Sequence, residues 1–278
     1  MLDHALIAKA AAGMEPLPPT VGRLAAIIIR EDGGLGEIEE IVRLDPVLTG
    51  RILNVANAVP ATRGAAIGTV RGAITKLGAG RVLALALSGP LSRRLQRPVP
   101  GYGLSEGALW RHLVASALAV ELLAGMSRVS VPPEAFAAAL LHDLGQIVLA
   151  QFLDPELRRL LSLAREQGAS SREAEIEILG VHHGEVGALV AQKWRLPERI
   201  VQAIAFAGSS AAGEDVLFDV VHVGHVAAGR IGEYPGMPAR DLQLDSDLLE
   251  RVGLGRAAAE LLQMHLKERL GDVLRLYA

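Results

Sequence analysis

Leu140-Leu141-His142-Asp143-Leu144-Gly145-Gln146-Ile147-Val148-Leu149 is the stretch on which the reading of this chain turns. A histidine and an aspartate stand side by side in an otherwise apolar run. The apolar neighbours mark the segment as buried, and both polar side chains are costly to bury without partners. The pair is therefore either hydrogen-bonded for structural reasons or turned toward a polar site. A neutral imidazole and a carboxylate are both good ligands for divalent metals. Adjacent residues on a helix point about 100° apart, so a metal held by both needs a cage completed by other helices.

Composition favours helices around this stretch. Half of the 278 residues are apolar and few are aromatic, so Ala, Leu, Val and Ile must build the core. Ala and Leu lead the helix-propensity ranking, and an all-α fold is expected. The length suits one large domain or two small ones. A formal charge of −3 gives no global basic field to hold nucleic acid. The absence of cysteine excludes disulfides, zinc–thiolate sites and cysteine nucleophiles, and fits a cytoplasmic protein. Residues 1–13 lack a basic start followed by a long apolar run, so they do not read as a signal peptide. No apolar run reaches the roughly 18 uninterrupted residues of a membrane span. The run 135–153 comes nearest, but His142, Asp143 and Gln146 interrupt it. No membrane partner is expected.

Outward from the pair, start and stop signals divide the chain into helices. Pro132-Pro133-Glu134 opens the helix that carries His142 and Asp143. Asp154-Pro155-Glu156 opens the next, and Ser170 or Ser171 caps a further one to Leu179. His182-His183-Gly184-Glu185 opens a helix to Trp194, and Leu196-Pro197-Glu198 one to Phe206. A helix at 216–230 and two more finish the chain. Upstream, Ser105 is expected to cap a helix to about Met126, with Trp110 and His112 in its first turns. Earlier helices are expected at 1–13, 21–30, 35–44, 47–58, 69–77 and 81–91, with loops at 31–34, 60–68, 208–213 and 235–238. The two prolines and two glycines of 96–103 mark the best boundary. They divide an N-terminal helical subdomain, 1–100, from a helical subdomain, 101–278.

Five histidines could converge with the pair: His112, His182, His183, His222 and His225. With the pair they occupy four predicted helices, as metal sites inside bundles do. No HExxH is present. His222 and His225 stand at i, i+3 with Asp219 three residues back, a stripe suited to metal or hydrogen bonding. Taken singly, each histidine reads at least as well as an ordinary core or surface residue. Glu37, Glu39 and Glu40 read as the charged first turn and outer face of a helix. Arg93, Arg94 and Arg97 read as a solvated face, and Trp110 and Trp194 as packing residues.

The ordered motifs resemble the HDOD family, signalling relatives of the HD-domain phosphohydrolases. The likeness covers about 17–230. It is carried by Leu17-Pro18-Pro19, Asp45-Pro46-Val47-Leu48, Arg51-Ile52-Leu53-Asn54-Val55-Ala56-Asn57, Val70-Arg71-Gly72-Ala73-Ile74 with Leu77-Gly78, and Trp110-Arg111-His112. Leu141-His142-Asp143-Leu144-Gly145, His183-Gly184-Glu185-Val186-Gly187 and Trp194-Arg195-Leu196-Pro197 follow in order. The set in sequence is far more specific than any one member. The resemblance implies an N-terminal helical subdomain packed on an HD-like multi-helix core. It also implies a bacterial regulatory role linked to cyclic-nucleotide or two-component signalling. Many members are thought to lack catalysis and to act through protein partners.

Catalytic HD relatives hold metal with a His, a His-Asp pair and a later Asp. The resemblance carries these positions onto His112, His142, Asp143 and, in place of the later Asp, His225. His183 matches a further ligand of the HD-GYP phosphodiesterases. His182, His222 and Gln146 are expected around these ligands. A divalent Fe, Mn, Zn or Mg ion is the implied cofactor. Two departures argue against phosphodiesterase activity: Gln146 stands where active relatives carry Lys, and Phe206-Ala207-Gly208 replaces an expected His-His pair. No Gly-Tyr-Pro motif occurs at the HD-GYP position, and Tyr234-Pro235 reads as chance. The expectation is a non-catalytic signalling module working through protein partners. The alternatives are a metal-dependent phosphohydrolase acting on a nucleotide or cyclic dinucleotide, and a receptor that binds metal or nucleotide without turnover. The oligomeric state stays open.

Overall fold

Capping chemistry places the helix starts. Asp154 accepts from the backbone N–H groups of Glu156 and Leu157, both at 2.9 Å. Ser170 and Glu173 form a capping box, and Ser170 rather than Ser171 is the cap. The ring of His182 accepts from Gly184 N–H at 3.1 Å and caps the helix after it. The computed structural model describes residues 2–29, 34–58, 67–207, 215–234 and 237–277. The expected loops at 31–34, 60–68, 208–213 and 235–238 lie wholly or partly outside these residues.

The fold is all-α. The helices are α1 His4–Ala12, α2 Pro19–Ile29, α3 Leu35–Arg43, α4 Pro46–Ala58, α5 Val70–Leu77, α6 Ala79–Leu95, α7 Ala108–Met126 and α8 Ala135–Leu141. They continue with α9 Gly145–Leu149, α10 Pro155–Glu166, α11 Ser171–Leu179, α12 His183–Lys193, α13 Glu198–Phe206, α14 Val216–Arg230, α15 Ser246–Arg251 and α16 Arg256–Tyr277. Among the described residues the one β-type pairing is an isolated bridge between Val99 and Leu104.

Three boundaries differ from expectation. Ser105 does not cap α7. Gly107 holds that position at φ +74°, and its N–H is tied back to Gln96 O at 2.7 Å. A left-handed residue is needed there, which glycine supplies and serine does not. α6 begins two residues earlier and ends four later than expected; the early start follows from Gly78, whose φ of +80° lets α6 follow α5 without a loop. His142 and Asp143 do not lie inside a regular helix. α8 stops at Leu141, and the next N–H groups reach back three residues rather than four. The chain tightens there into a 3-10-like turn.

α2 to α6 pack on one another, and α6 also leans on α8. In the other layer α7 is packed against α14, α8 and α16. α12 lies against α13, α9 and α1. α1 is thus drawn onto the C-terminal half of the chain, where Leu2 N–H donates to Leu179 O at 2.9 Å. Trp194, buried as expected, donates its indole N–H to Glu15 O at 3.0 Å and pins the segment between α1 and α2. Two stretches, Ala108–Met126 and Ala135–Phe152, are long and apolar enough to cross a membrane, but most of each is buried inside the protein, as in core helices.

Candidate metal centre

Three helix contacts bring the ligands together: α7 against α14, α7 against α8, and α14 against α8. α7 carries His112, the turn after α8 carries His142 and Asp143, and α14 carries His225. The four residues each offer a ligand atom within 4.8 Å of the others, and all are buried. His142 Nε2 lies 2.8 Å from His225 Nδ1 and 3.3 Å from His112 Nε2, and His112 Nε2 lies 3.1 Å from His225 Nδ1. The Asp143 carboxylate is 3.4 Å from His142 Nε2 and 3.5 Å from His112 Nε2.

These spacings suit a shared cation. Two ligands about 2.1 Å from one ion and 90° apart are separated by about 3.0 Å, and at a tetrahedral angle by about 3.4 Å. The tautomers agree. His142 Nδ1 is 2.7 Å from Ala139 O, which can only accept, so Nδ1 carries a proton and Nε2 is the nitrogen turned to the cluster. Burial pushes the His112 imidazole down to about 3, against the opposing charge of Asp143, and pushes His225 well below its usual range. Both rings are neutral near pH 7, as ligands must be. Burial works to raise Asp143, but His142 and His183 overrule it and hold its carboxyl well below the usual range. Both Asp143 oxygens are buried without a hydrogen bond. This ionised carboxylate, with His183 on one side, faces the ring nitrogens of His112, His142 and His225, and together the four make a donor set able to hold a divalent metal.

His183 stands beside the four rather than among them. Its Nε2 is 3.3 Å from Asp143 Oδ1 and its Nδ1 is 2.7 Å from Glu175 Oε2. Carboxylates only accept, so both ring nitrogens carry protons and the ring is a cation. Burial alone would lower its pKa, but Glu175 foremost, with Asp143, raises it to about 10. Glu175, fully buried on α11, also accepts the His183 backbone N–H at 2.7 Å. It lies outside every motif read from the sequence. His182 is a helix cap whose ring edges against His183, not against the cluster. His222 sits one turn before His225, with their ring centroids 6.5 Å apart. Its pKa is pushed to about 4, chiefly by burial.

Tyr234, set aside in the sequence, belongs to the site. Its buried ring lies 4.9 Å from that of His112, and it lines the same small cavity as Gln146. Burial, then the Asp143 charge, raises its hydroxyl far above its usual range. Gln146, His183, His225 and Tyr234, with Arg172 and Asp241, line a cavity of about 10 Å³ beside the cluster. That is room for roughly one water.

The backbone is built to this closeness. A Cβ on Gly145 would stand 2.6 Å from Gly187 N and closer still to His183 O, so α9 crosses α12 backbone to backbone. This is why glycine follows the His-Asp-Leu turn.

The HDOD domain profile matches residues 14–209. Over 73 residues the chain is 30% identical to an uncharacterized protein of Treponema pallidum (strain Nichols), which covers 26% of this chain and 14% of that protein. A candidate signal transduction protein from Marinobacter aquaeolei VT8 superposes with a TM-score of 0.73 at 22% identity, over 95% of this chain and 59% of that one. An HDOD domain protein of unknown function from Geobacter sulfurreducens gives 0.67 at 21% identity, over 97% and 95% of the two chains. A candidate phosphohydrolase from Shewanella amazonensis SB2B gives 0.65 at 23% identity, over 96% and 95%. The chain therefore spans a small part of the Treponema relative and just over half of the Marinobacter protein. At these identities the structural likeness is one of fold. The matched profile covers well over half of the chain, and the chain belongs to the HDOD domain family.

Proposed function

We propose that this chain is a cytoplasmic regulatory module of bacterial signalling that acts by binding protein partners, and that its buried cluster holds a metal without turning over substrate. The closed site carries this reading. Small-molecule pockets run from about 300 to 1,000 Å³, whereas the space beside the cluster is about 10 Å³. Among the described residues, Tyr234 and Gln146 line this space and leave no room in it for a phosphodiester. His183 supports the same reading, because a ring clamped between Glu175 and Asp143 is not free to take a proton. In this proposal the α2–α6 layer is a subdomain of the module, and His112, His142, Asp143 and His225 hold the ion. Three imidazoles with one carboxylate suit Zn or Fe ahead of Mg. Such an ion, when bound, supplies Lewis acidity and ties α7, α8 and α14 together.

The second reading, a metal-dependent phosphohydrolase, is favoured by the convergence of four ligand groups. Untagged protein should be analysed for metal and then assayed with Mn, Fe and Zn on bis(p-nitrophenyl) phosphate and on cyclic dinucleotides. The expected result is about one ion per chain, lost in His142→Ala, with no hydrolysis above that of Asp143→Asn. Metal-dependent turnover that disappears in Asp143→Asn would replace the proposal with the phosphohydrolase.

A further inference from the structure

A buried ion site needs a way in. His112, His142 and Asp143 have no exposed surface, and His225 keeps 6%. One residue beside the cluster has a ligand atom that the fold does not use. His222 Nδ1 is buried and has no hydrogen-bond partner among the described residues. Leaving such a nitrogen unsatisfied costs about 1–3 kcal/mol. A neutral imidazole keeps one lone pair that a cation can take.

His222 stands at the edge of the cluster. Its ring is 23° from parallel to that of His225, with centroids 6.5 Å apart. At 8% it is the most exposed of the six histidines in and around the site. On α14 it is the middle step of a stripe, Asp219, His222 and His225, spaced at intervals of three residues.

The charge on its outer side favours a cation. Asp219, Asp245 and Arg251 act on the ring from outside the cluster, and Asp247 joins the two aspartates in acting on Arg251. Three carboxylates thus face one guanidinium. Asp219 is taken up by that arginine, whose Nε and Nη2 donate to its two oxygens at 2.7 and 3.0 Å. Asp245 and Asp247 are exposed and leave the surface there negative. Such a field gathers cations and speeds their arrival. The other approach, through the one-water cavity, has the opposite sign. Arg172 and the His183 cation line it, with Asp241 as the one carboxylate.

We propose that His222 is a staging ligand: a divalent cation gathered at Asp245 and Asp247 is taken by His222, passed to His225 and the cluster, and released by the same route. This rests on the reading that the cluster holds a metal, and it gives a role to a histidine that is not one of the four holders.

The probe is cobalt(II), and the readout is the rate of loading. The chain has no cysteine, so the visible bands of the bound ion arise from nitrogen and oxygen ligands. Metal-free full chain is mixed with cobalt(II) under stopped-flow absorbance, release is driven by excess EDTA, and Kd is measured separately by competition with a chelator. A residue on the path lowers the barrier in both directions and leaves the equilibrium alone. His222→Leu should therefore load and release about tenfold more slowly or less, with Kd within about threefold of the parent's. Its melting temperature should not fall, because the substitution removes an unpartnered nitrogen. Asp247→Lys tests the acidic surface without touching the interior. It should slow loading about threefold in dilute buffer, and the difference should vanish at roughly 0.5 M salt. Parent-like rates in His222→Leu overturn the proposal. A Kd weakened in step with faster release overturns it too, and makes His222 a fifth holder of the ion. Unchanged loading of Asp247→Lys in dilute buffer overturns the route from that surface. A parent that binds no cobalt(II) at equilibrium removes the metal reading itself, and the route with it.

Discussion

Glu175→Gln tests whether His183 is a cation. In chelator-treated protein, His183 keeps its proton up to about pH 10 in the folded state and only to about 6.5 when unfolded. Its stabilising contribution is complete below pH 6.5 and is lost as pH rises toward 10. Between these limits the folded state holds one more proton than the unfolded, so stability falls by about 1.4 kcal/mol per pH unit. The opposite arm is set by the imidazoles that burial keeps neutral, His112 and His182 near 3, His222 near 4 and His225 well below its usual range. These favour the folded state above pH 6.5 and lose that contribution as pH falls, with up to about 5 kcal/mol per pH unit if all four protonate together. A narrow optimum between about pH 6.5 and 7.5 is expected, with the steeper loss on the acid side. Removing Glu175 takes away the largest support for the His183 charge. Breaking a buried pair from one side costs about 3–5 kcal/mol, and the alkaline slope should flatten. Urea unfolding at half-unit pH steps from 5 to 9 measures both slopes for the two proteins. Equal alkaline slopes in the parent and in Glu175→Gln, or a His183 imidazole titrating near 6.5 by NMR, would refute the cation.

Gly145→Ala should cost more than the usual 1–3 kcal/mol of overpacking, because backbone on both sides of the α9–α12 crossing has no rotamer to yield. A melting temperature lower by about 8 °C or more is expected by calorimetry; a drop under about 2 °C would mean the crossing is looser than drawn. Arg199 is 44% exposed but joins the buried Glu134 to Asp215, tying the starts of α8, α13 and α14. Arg199→Ala should lose about 2 kcal/mol by urea unfolding, less than a fully buried pair because water reaches the guanidinium, and adding Glu134→Gln should recover at least half. His225→Asp puts a second carboxylate into the cluster. It should lower the melting temperature without metal and give a larger rise on manganese addition than the parent shows; an equal rise in both would count against His225 as a ligand.

The helices were legible because their signals are local. Asp154-Pro155, the Ser170 and Glu173 box and the His182 and Glu185 box each stabilise a helix start by contacts within a few residues. Where the decisive contact was distant, the reading slipped. Ser105 looked like a cap, yet a hydrogen bond from Gly107 back to Gln96 fixed the start of α7 instead. The sequence places the His142-Asp143 pair in a helix interior, because apolar periodicity does not distinguish α8 and α9 from one continuous helix. The break between them falls at the α9–α12 crossing, where Gly145 meets Gly187 from 42 residues along the chain.

The same division runs through the site. Ligand chemistry limits the candidates to the His142-Asp143 pair and five histidines, and only the resemblance to HD relatives singles out His112, His142, Asp143 and His225. Their convergence, however, rests on where α7, α8 and α14 touch. Glu175 and Tyr234 had no such signature. Glu175 sits among the acids Glu173 and Glu177 of a helix whose outer face is charged, and nothing local tells the buried acid from the exposed ones. Yet these two residues set what the site can do. Glu175 fixes the charge of His183, and Tyr234 with Gln146 lines a space beside the cluster with room for about one water. The ligand set says that a metal can be held; the residues no motif contains decide whether anything can reach it. A ligand set close to that of a catalytic relative, with a histidine in place of one aspartate, therefore does not by itself fix activity, and the lining of the approach is the part of such a site to compare before activity is inferred.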